Sequence, residues 1–227
     1  GNTAGLGFEV DQDYHAAAEA VWSHDKSLVI KRADFTQEVP KDYKHADLIV
    51  CNPPYSRHHH IPSDIKLRSQ KKIADALGLQ VSGLAGLHLY FMLLCHEWLS
   101  ENGLAIWLIP SEAVEVNYGK VMRKYLLENV NLQRIHFFEQ SEVQFSDALV
   151  SSCVIVFSNV APDSNGVEIT VGDFELPESR IILSKNELKE KQKWSKHLLL
   201  DEKNAPPSTS EPKLGDLFKI KRGVATG

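Results

Sequence analysis

The chain has 227 residues, 43% hydrophobic and 24% charged, the make-up of an ordinary soluble globular protein with room for one domain or a little more. Its formal net charge of -5 argues against a protein that coats nucleic acid without specificity, and its longest apolar run, 84–94, is broken by His88 and too short to cross a bilayer. Cys51, Cys95 and Cys153 are widely spaced with no CxxC pair, which points away from a disulfide framework or a zinc site and fits a reducing cytoplasm.

Short β-branched runs alternate with helical patterns, the mark of βαβ units and a largely parallel sheet. Residues 6–10 read as a strand, and Asp11 is the N-cap of a helix running to about Ser23. Residues 27–33 read as the next strand, and 46–51 as another that stops at Asn52-Pro53-Pro54. A helix is expected over 84–100, ended by Glu101-Asn102-Gly103 and followed by a strand over 104–109. Tyr118, Val121, Met122, Tyr125 and Leu126 form one apolar helical stripe. Residues 132–138 and 150–157 then suit an antiparallel pair at a sheet edge, so the whole reads as an open doubly wound sheet. After Asn159 the pattern weakens; 201–213, rich in Pro and Ser, reads as a linker, and 214–227 starts something new.

The run Asp47-Leu48-Ile49-Val50-Cys51-Asn52-Pro53-Pro54-Tyr55 concentrates the chemistry. An aliphatic strand delivers two prolines and an aromatic ring to the carboxyl edge of a sheet, where open α/β folds bind ligands. Neither proline has an N–H, so the backbone there offers acceptors without competing donors, and Asn52 adds a side-chain carbonyl. Such acceptors can hold the NH2 group of a planar substrate, oppose delocalisation of its lone pair and make the nitrogen a better nucleophile toward a methyl sulfonium. Tyr55 supplies a face on which a base stacks, at about 1–3 kcal/mol per base. From 55 to 72 there are five basic residues (Arg57, Lys66, Arg68, Lys71 and Lys72) against the single acid Asp64, a pattern that suits phosphate contact or a solvated face.

These residues resemble the Asn-Pro-Pro-Tyr amino-methyltransferases, in particular the gamma-class adenine-N6 DNA methyltransferases of restriction–modification systems, over about 5–157. The resemblance implies a Rossmann-like α/β fold, S-adenosylmethionine as cofactor and double-stranded DNA with a flipped adenine as substrate. It places Asn52, Pro53 and Tyr55 at the reacting amino group, with Asn52 also bordering the cofactor. Gly7-Phe8-Glu9-Val10-Asp11 resembles the second-strand motif, which gives Glu9 the cofactor ribose and Val10 its adenine. Ala33-Asp34-Phe35 resembles the next motif, in which the acid accepts from the adenine amino group and the aromatic lines the pocket. Val143-Gln144-Phe145 implies a ring, Phe145, packed on the target base, and Arg57 a contact to DNA. Tyr90, Phe91 and Trp107 read as core, and His58-His59-His60 as a basic loop with no metal assigned.

The family's first motif, a glycine-rich turn after the first strand, has no counterpart in Gly1-Asn2-Thr3-Ala4-Gly5-Leu6. The expectation is therefore a partial catalytic domain over 1–200, lacking that strand, a linker over 201–213 and the start of a target-recognition domain over 214–227. A nuclease or specificity module in the complete protein fits the same class. The rival expectations are a protein-glutamine or RNA amino-methyltransferase, and a catalytically inactive DNA-binding or assembly fragment.

Overall fold

The computed structural model describes residues 4–115, 117–138, 151–189 and 194. The chain opens with β1 (Gly5–Glu9), α1 (Gln12–Trp22) and β2 (Leu28–Arg32), a βαβ unit whose strands run parallel with Gly5 opposite Leu28. Asp11 starts α1 as expected: its carboxylate accepts from the backbone N–H of Asp13 and Tyr14 at 2.8 and 3.1 Å, two of the donors a helix start leaves unpaired.

β3 (Ala46–Cys51) lies where the aliphatic run predicts it. It pairs in parallel with β4 (Leu99–Pro110) at the edge of a six-stranded sheet. Between them stand α2 (Ser63–Leu77) and α3 (Leu87–Leu94). Then follow α4 (Lys120–Glu128), β5 (Asn131–Phe137), β6 (Ser152–Ser158), β7 (Val167–Gly172) and β8 (Pro177–Leu183). The strand order is β3-β4-β6-β5-β7-β8, with β6 inserted antiparallel between the parallel β4 and β5.

Three expectations need correction. The helix over 84–100 is only α3 and a tight 3-10 turn over Cys95–Trp98, and the strand begins at Leu99. Asn102-Gly103, read as a helix stop, is a kink inside β4, with Asn102 at φ 64° and the register against β3 shifted beside it. Both a helix stop and a bulge use that left-handed backbone, which is why the signal misleads. The β5–β6 pair is antiparallel as expected but does not end the sheet, because β7 and β8 extend it.

The core forms where α3, α4 and the six-stranded sheet meet: Tyr90, Leu89, Trp107, Ile109, Tyr125 and Phe157 are all essentially inaccessible. Tyr90 and Trp107 are thus core residues, and Phe91 packs partly buried against the same cluster. α3 is apolar on nearly every face because six of its eight residues are buried, His88 among them. The β1–β2 pair is a separate two-stranded sheet. It meets the rest through rings: Phe8 lies 5.4 Å from Trp98, and Phe35 lies 5.1 Å from Phe91 and 5.4 Å from Trp98. Among the described residues, β1 pairs only with β2 and β3 only with β4, so each turns an unpaired edge outward.

Candidate functional site

Two groups of residues sit at the carboxyl ends of parallel strands. The first belongs to β1 and β2. Ala33 N–H donates to the Glu9 carbonyl at 3.0 Å, which ties the two strand ends together and sets Glu9 and Val10 beside Asp34 and Phe35. The Glu9 carboxylate accepts from Asp11 N–H at 2.8 Å, and its other oxygen has no hydrogen bond among the described residues. Val10 is 66% exposed, an apolar surface at the open end of the strand.

Asp34 is braced from three sides. Its Oδ1 accepts from Thr36 N–H at 2.9 Å and from the Thr36 hydroxyl at 2.7 Å, while its Oδ2 accepts from Gln37 Nε2 at 2.9 Å. Burial pulls this carboxyl upward, but the bonds from Gln37 and Thr36, with the charge of Arg68, outweigh burial and hold it below the ordinary carboxylate range. It is therefore an ionised acceptor with a lone pair of Oδ2 left to offer.

The second group leaves β3. Pro53 is buried, Asn52 is exposed and Tyr55 is half-buried, so the amide faces outward from a prolyl anchor. The Tyr55 hydroxyl donates to the Leu108 carbonyl of β4 at 3.1 Å, and burial pushes it up to about 12. Cys51, just before Asn52, is likewise pushed up to about 12 by burial and stays a neutral thiol.

Behind Tyr55 stands His88, 5% exposed, with ring centroids 6.3 Å apart and nearly perpendicular. Among the described residues neither His88 nitrogen has a hydrogen-bond partner, and burial lowers its value to about 4 against a weaker opposing pull from Glu112. Gly86 gives the ring its room, since a Cβ there would meet His88 Cε1 at 2.6 Å, and Leu87 N–H donates to the Ser56 carbonyl at 2.9 Å. The first turn of α3 is thus stitched directly to the Asn52–Tyr55 loop.

Arg57 is exposed at the start of a 3-10 turn over His58–His60, where the His58 and His59 rings meet edge-on and the His59 and His60 rings lie tilted with centroids 4.0 Å apart. Among the described residues no group of three His, Cys, Asp or Glu side chains could hold a metal ion. Phe145, the linker 201–213 and the segment 214–227 lie outside the described residues. The sequence brings forward Glu9, Asp34, Asn52 and Tyr55 as site residues; Arg68 and Lys72 enter only as members of a basic run, His88 only as a break in an apolar one, and Gln37 not at all. A histidine in an otherwise apolar helix was the one available signal for His88; a lysine or arginine on a charged helix carries none.

The profile of the Eco57I restriction-modification methylase family matches residues 9–145. The type II methyltransferase M.XamI of Xanthomonas campestris pv. amaranthicola is 28% identical over 200 residues, which are 82% of this chain and 37% of that protein. The type II methyltransferase M.AccI of Acinetobacter calcoaceticus is 31% identical over 153 residues, 67% of this chain and 27% of that protein. The chain therefore spans little more than a third of these relatives at most.

Among solved structures, it resembles the methyltransferase subunit of a type I restriction-modification system from Streptococcus thermophilus, with a TM-score of 0.62 and 15% identity over 89% of this chain and 43% of that one. It also resembles the type IIG restriction endonuclease BpuSI, with a TM-score of 0.56 and 18% identity over 71% of this chain and 22% of that one. At such identities the likeness is one of fold alone. Matched over more than half of its length by the family profile, the chain belongs to the Eco57I restriction-modification methylases.

Proposed function

We propose that this chain carries the target-base site and the adenosine half of the cofactor site of an enzyme that methylates the exocyclic amino group of adenine in DNA. The observation that carries this reading is the Asn52–Tyr55 loop. An outward amide sits on a buried prolyl anchor, beside a ring fixed by a hydrogen bond from its hydroxyl to β4. Asn52 Oδ1 and the carbonyl of Pro53 would accept the two N–H bonds of the amino group and leave its lone pair directed outward. S-adenosylmethionine would supply the methyl carbon: the amino nitrogen forms the new C–N bond, the C–S bond breaks, and the excess proton leaves to water.

The first group fits the adenosine half of that cofactor. Glu9 has a carboxylate oxygen to spare for ribose hydroxyls, Val10 an exposed apolar face and Asp34 an acceptor for an amino group. The unpaired edges of β1 and β3 suit one inserted strand that pairs with both and brings the groups for the methionine end. Relatives and fold neighbours from restriction–modification systems support DNA as the substrate class, and a nuclease or specificity module as a partner. Arg57 and Phe145 are proposed to contact the nucleic acid and its extruded base.

Asn52→Ala in the full-length gene product is the test. Loss of one positioned polar contact at a reacting group lowers turnover by about 10²–10³, while S-adenosylmethionine affinity stays near wild type. Near wild-type methylation of adenine in duplex DNA would remove Asn52 from the mechanism.

A further inference from the structure

The basic residues of α2 look like one DNA-facing patch, yet two of them are turned to a different task. Arg68 and Lys72 lie four residues apart on one helix face, the spacing of neighbours on an α-helix. Arg68 is held by Asp64, one turn earlier, at 3.0 Å, and its Nη1 donates to Gln37 Oε1 at 3.2 Å. The same Gln37 amide donates from Nε2 to Asp34 Oδ2 at 2.9 Å. Lys72 Nζ donates to the carbonyls of Thr36 and Glu38 at 3.0 and 3.2 Å, and Thr36, 3% exposed, bonds the other Asp34 oxygen through both its N–H and its hydroxyl.

We propose that Arg68, Gln37 and Lys72 are positioning residues for the adenine end of the cofactor, holding the Asp34 carboxylate from the helix that follows the target-base loop. The inference rests on the reading of Asp34 given above. Arg68 fixes the Gln37 amide with its carbonyl toward the guanidinium and its NH2 toward Asp34, which prevents the amide from flipping and occupying Asp34's place as acceptor. A guanidinium on the carbonyl also polarises the amide and strengthens its N–H donation. Lys72 pins the carbonyls on either side of Gln37, so the turn over 34–38 cannot relax away from α2. Because α2 continues from the Asn52–Tyr55 loop, one helix sets the relative placement of the two halves of the site, which no strand pairing joins among the described residues.

Titration calorimetry of the full-length gene product with S-adenosylhomocysteine tests this, with Asp34→Asn, Arg68→Gln, Gln37→Leu and Lys72→Met as variants. Since a hydrogen bond to a charged group is worth about a factor of ten or more in affinity, Asp34→Asn is expected to weaken binding by at least about that much. Arg68→Gln, Gln37→Leu and Lys72→Met are expected to weaken it by about three- to tenfold, with Lys72→Arg restoring part of the loss. Gln37 is exposed, so its substitution leaves folding intact and keeps the test alive if Lys72→Met lowers stability.

Duplex DNA affinity against salt is the second readout, and for these variants its slope should match wild type. If Arg68 and Lys72 contact phosphates instead, each loss flattens that slope by about 0.9 with ligand affinity unchanged, and the inference fails. Loss in Asp34→Asn with wild-type binding in the other variants overturns the inference alone. Unchanged binding in Asp34→Asn overturns the adenine assignment and the inference with it.

Discussion

His88 offers a quantitative test of how closely the Asn52–Tyr55 loop is backed by buried structure. Its imidazole is 5% exposed, has no hydrogen-bond partner among the described residues and is lowered by burial to about 4 from the ordinary 6.5. Burial disfavours the charged form, so between these two values the unfolded chain binds a proton that the folded chain refuses. Stability therefore falls as pH falls through this window and is insensitive to His88 above it. A depression from 6.5 to about 4 corresponds to about 2 kcal/mol lost by pH 5 and about 3 kcal/mol by pH 4, relative to pH 7.5.

The perturbation is His88→Leu, and the assay is denaturant unfolding of both proteins from pH 7.5 to 4. His96 and His136, also lowered by burial, remain in both proteins and cancel in the difference. At pH 7.5 the variant is expected to be no less stable than wild type, since an apolar group replaces a polar one without a partner. As the pH falls, the gap should widen in favour of the variant by the amounts above. Curves that fall in parallel would show that His88 is not the buried neutral group described.

Tyr55→Phe is expected to cost about 0.5–1.5 kcal/mol of stability, because the hydroxyl that donates to Leu108 is lost. Binding of DNA with an extruded adenine should be nearly unchanged, whereas Tyr55→Ala should weaken it by about 1–3 kcal/mol; equal effects of both variants on binding would refute stacking. Gly119→Ala would bring a Cβ within 1.8 Å of the Ala113 carbonyl, a backbone clash expected to cost about 1–3 kcal/mol in thermal unfolding. Gly83→Ala, which meets nothing within 4 Å, should be silent in the same assay. With the outer edges of β1 and β3 unpaired among the described residues, residues 1–227 by themselves are expected to bind S-adenosylmethionine weakly and not to methylate DNA. Micromolar binding with turnover would show that the methionine end is held by residues already present.

Local signals carried the reading wherever structure is decided locally. Asp11 before an apolar-periodic stretch gives α1, and the aliphatic run before Asn52-Pro53 gives β3 to the residue. What failed depends on partners distant in sequence. Asn102 at φ 64° serves a bulge rather than a helix end because β3 runs beside it, and no local pattern reports that neighbour. β7 was legible in principle, since Val167, Ile169 and Val171 alternate with Glu168 and Thr170, but its place beside β5 was not. In the site, acids and the Asn-Pro-Pro-Tyr loop stand out by type and order. Lys72 does not, because a lysine donating to carbonyls and a solvated lysine look identical in sequence.

The separation into a two-stranded and a six-stranded sheet bears on how the chain opens as well as on what it binds. A continuous hydrogen-bond ladder spreads local disturbance across a sheet, whereas a boundary crossed by rings and a few side-chain bonds divides the molecule into units that open on their own. β1, α1 and β2 bury no residue fully, while the six-stranded side holds nearly all of the inaccessible core. Amide hydrogen exchange should therefore sort into a fast-exchanging block over 5–32 and a slow one centred on Trp107, Ile135 and Ile155. Glu9 and Val10 would then belong to the looser block and the target-base loop to the firmer one, so that ordering these two residues would become part of the free energy of cofactor binding.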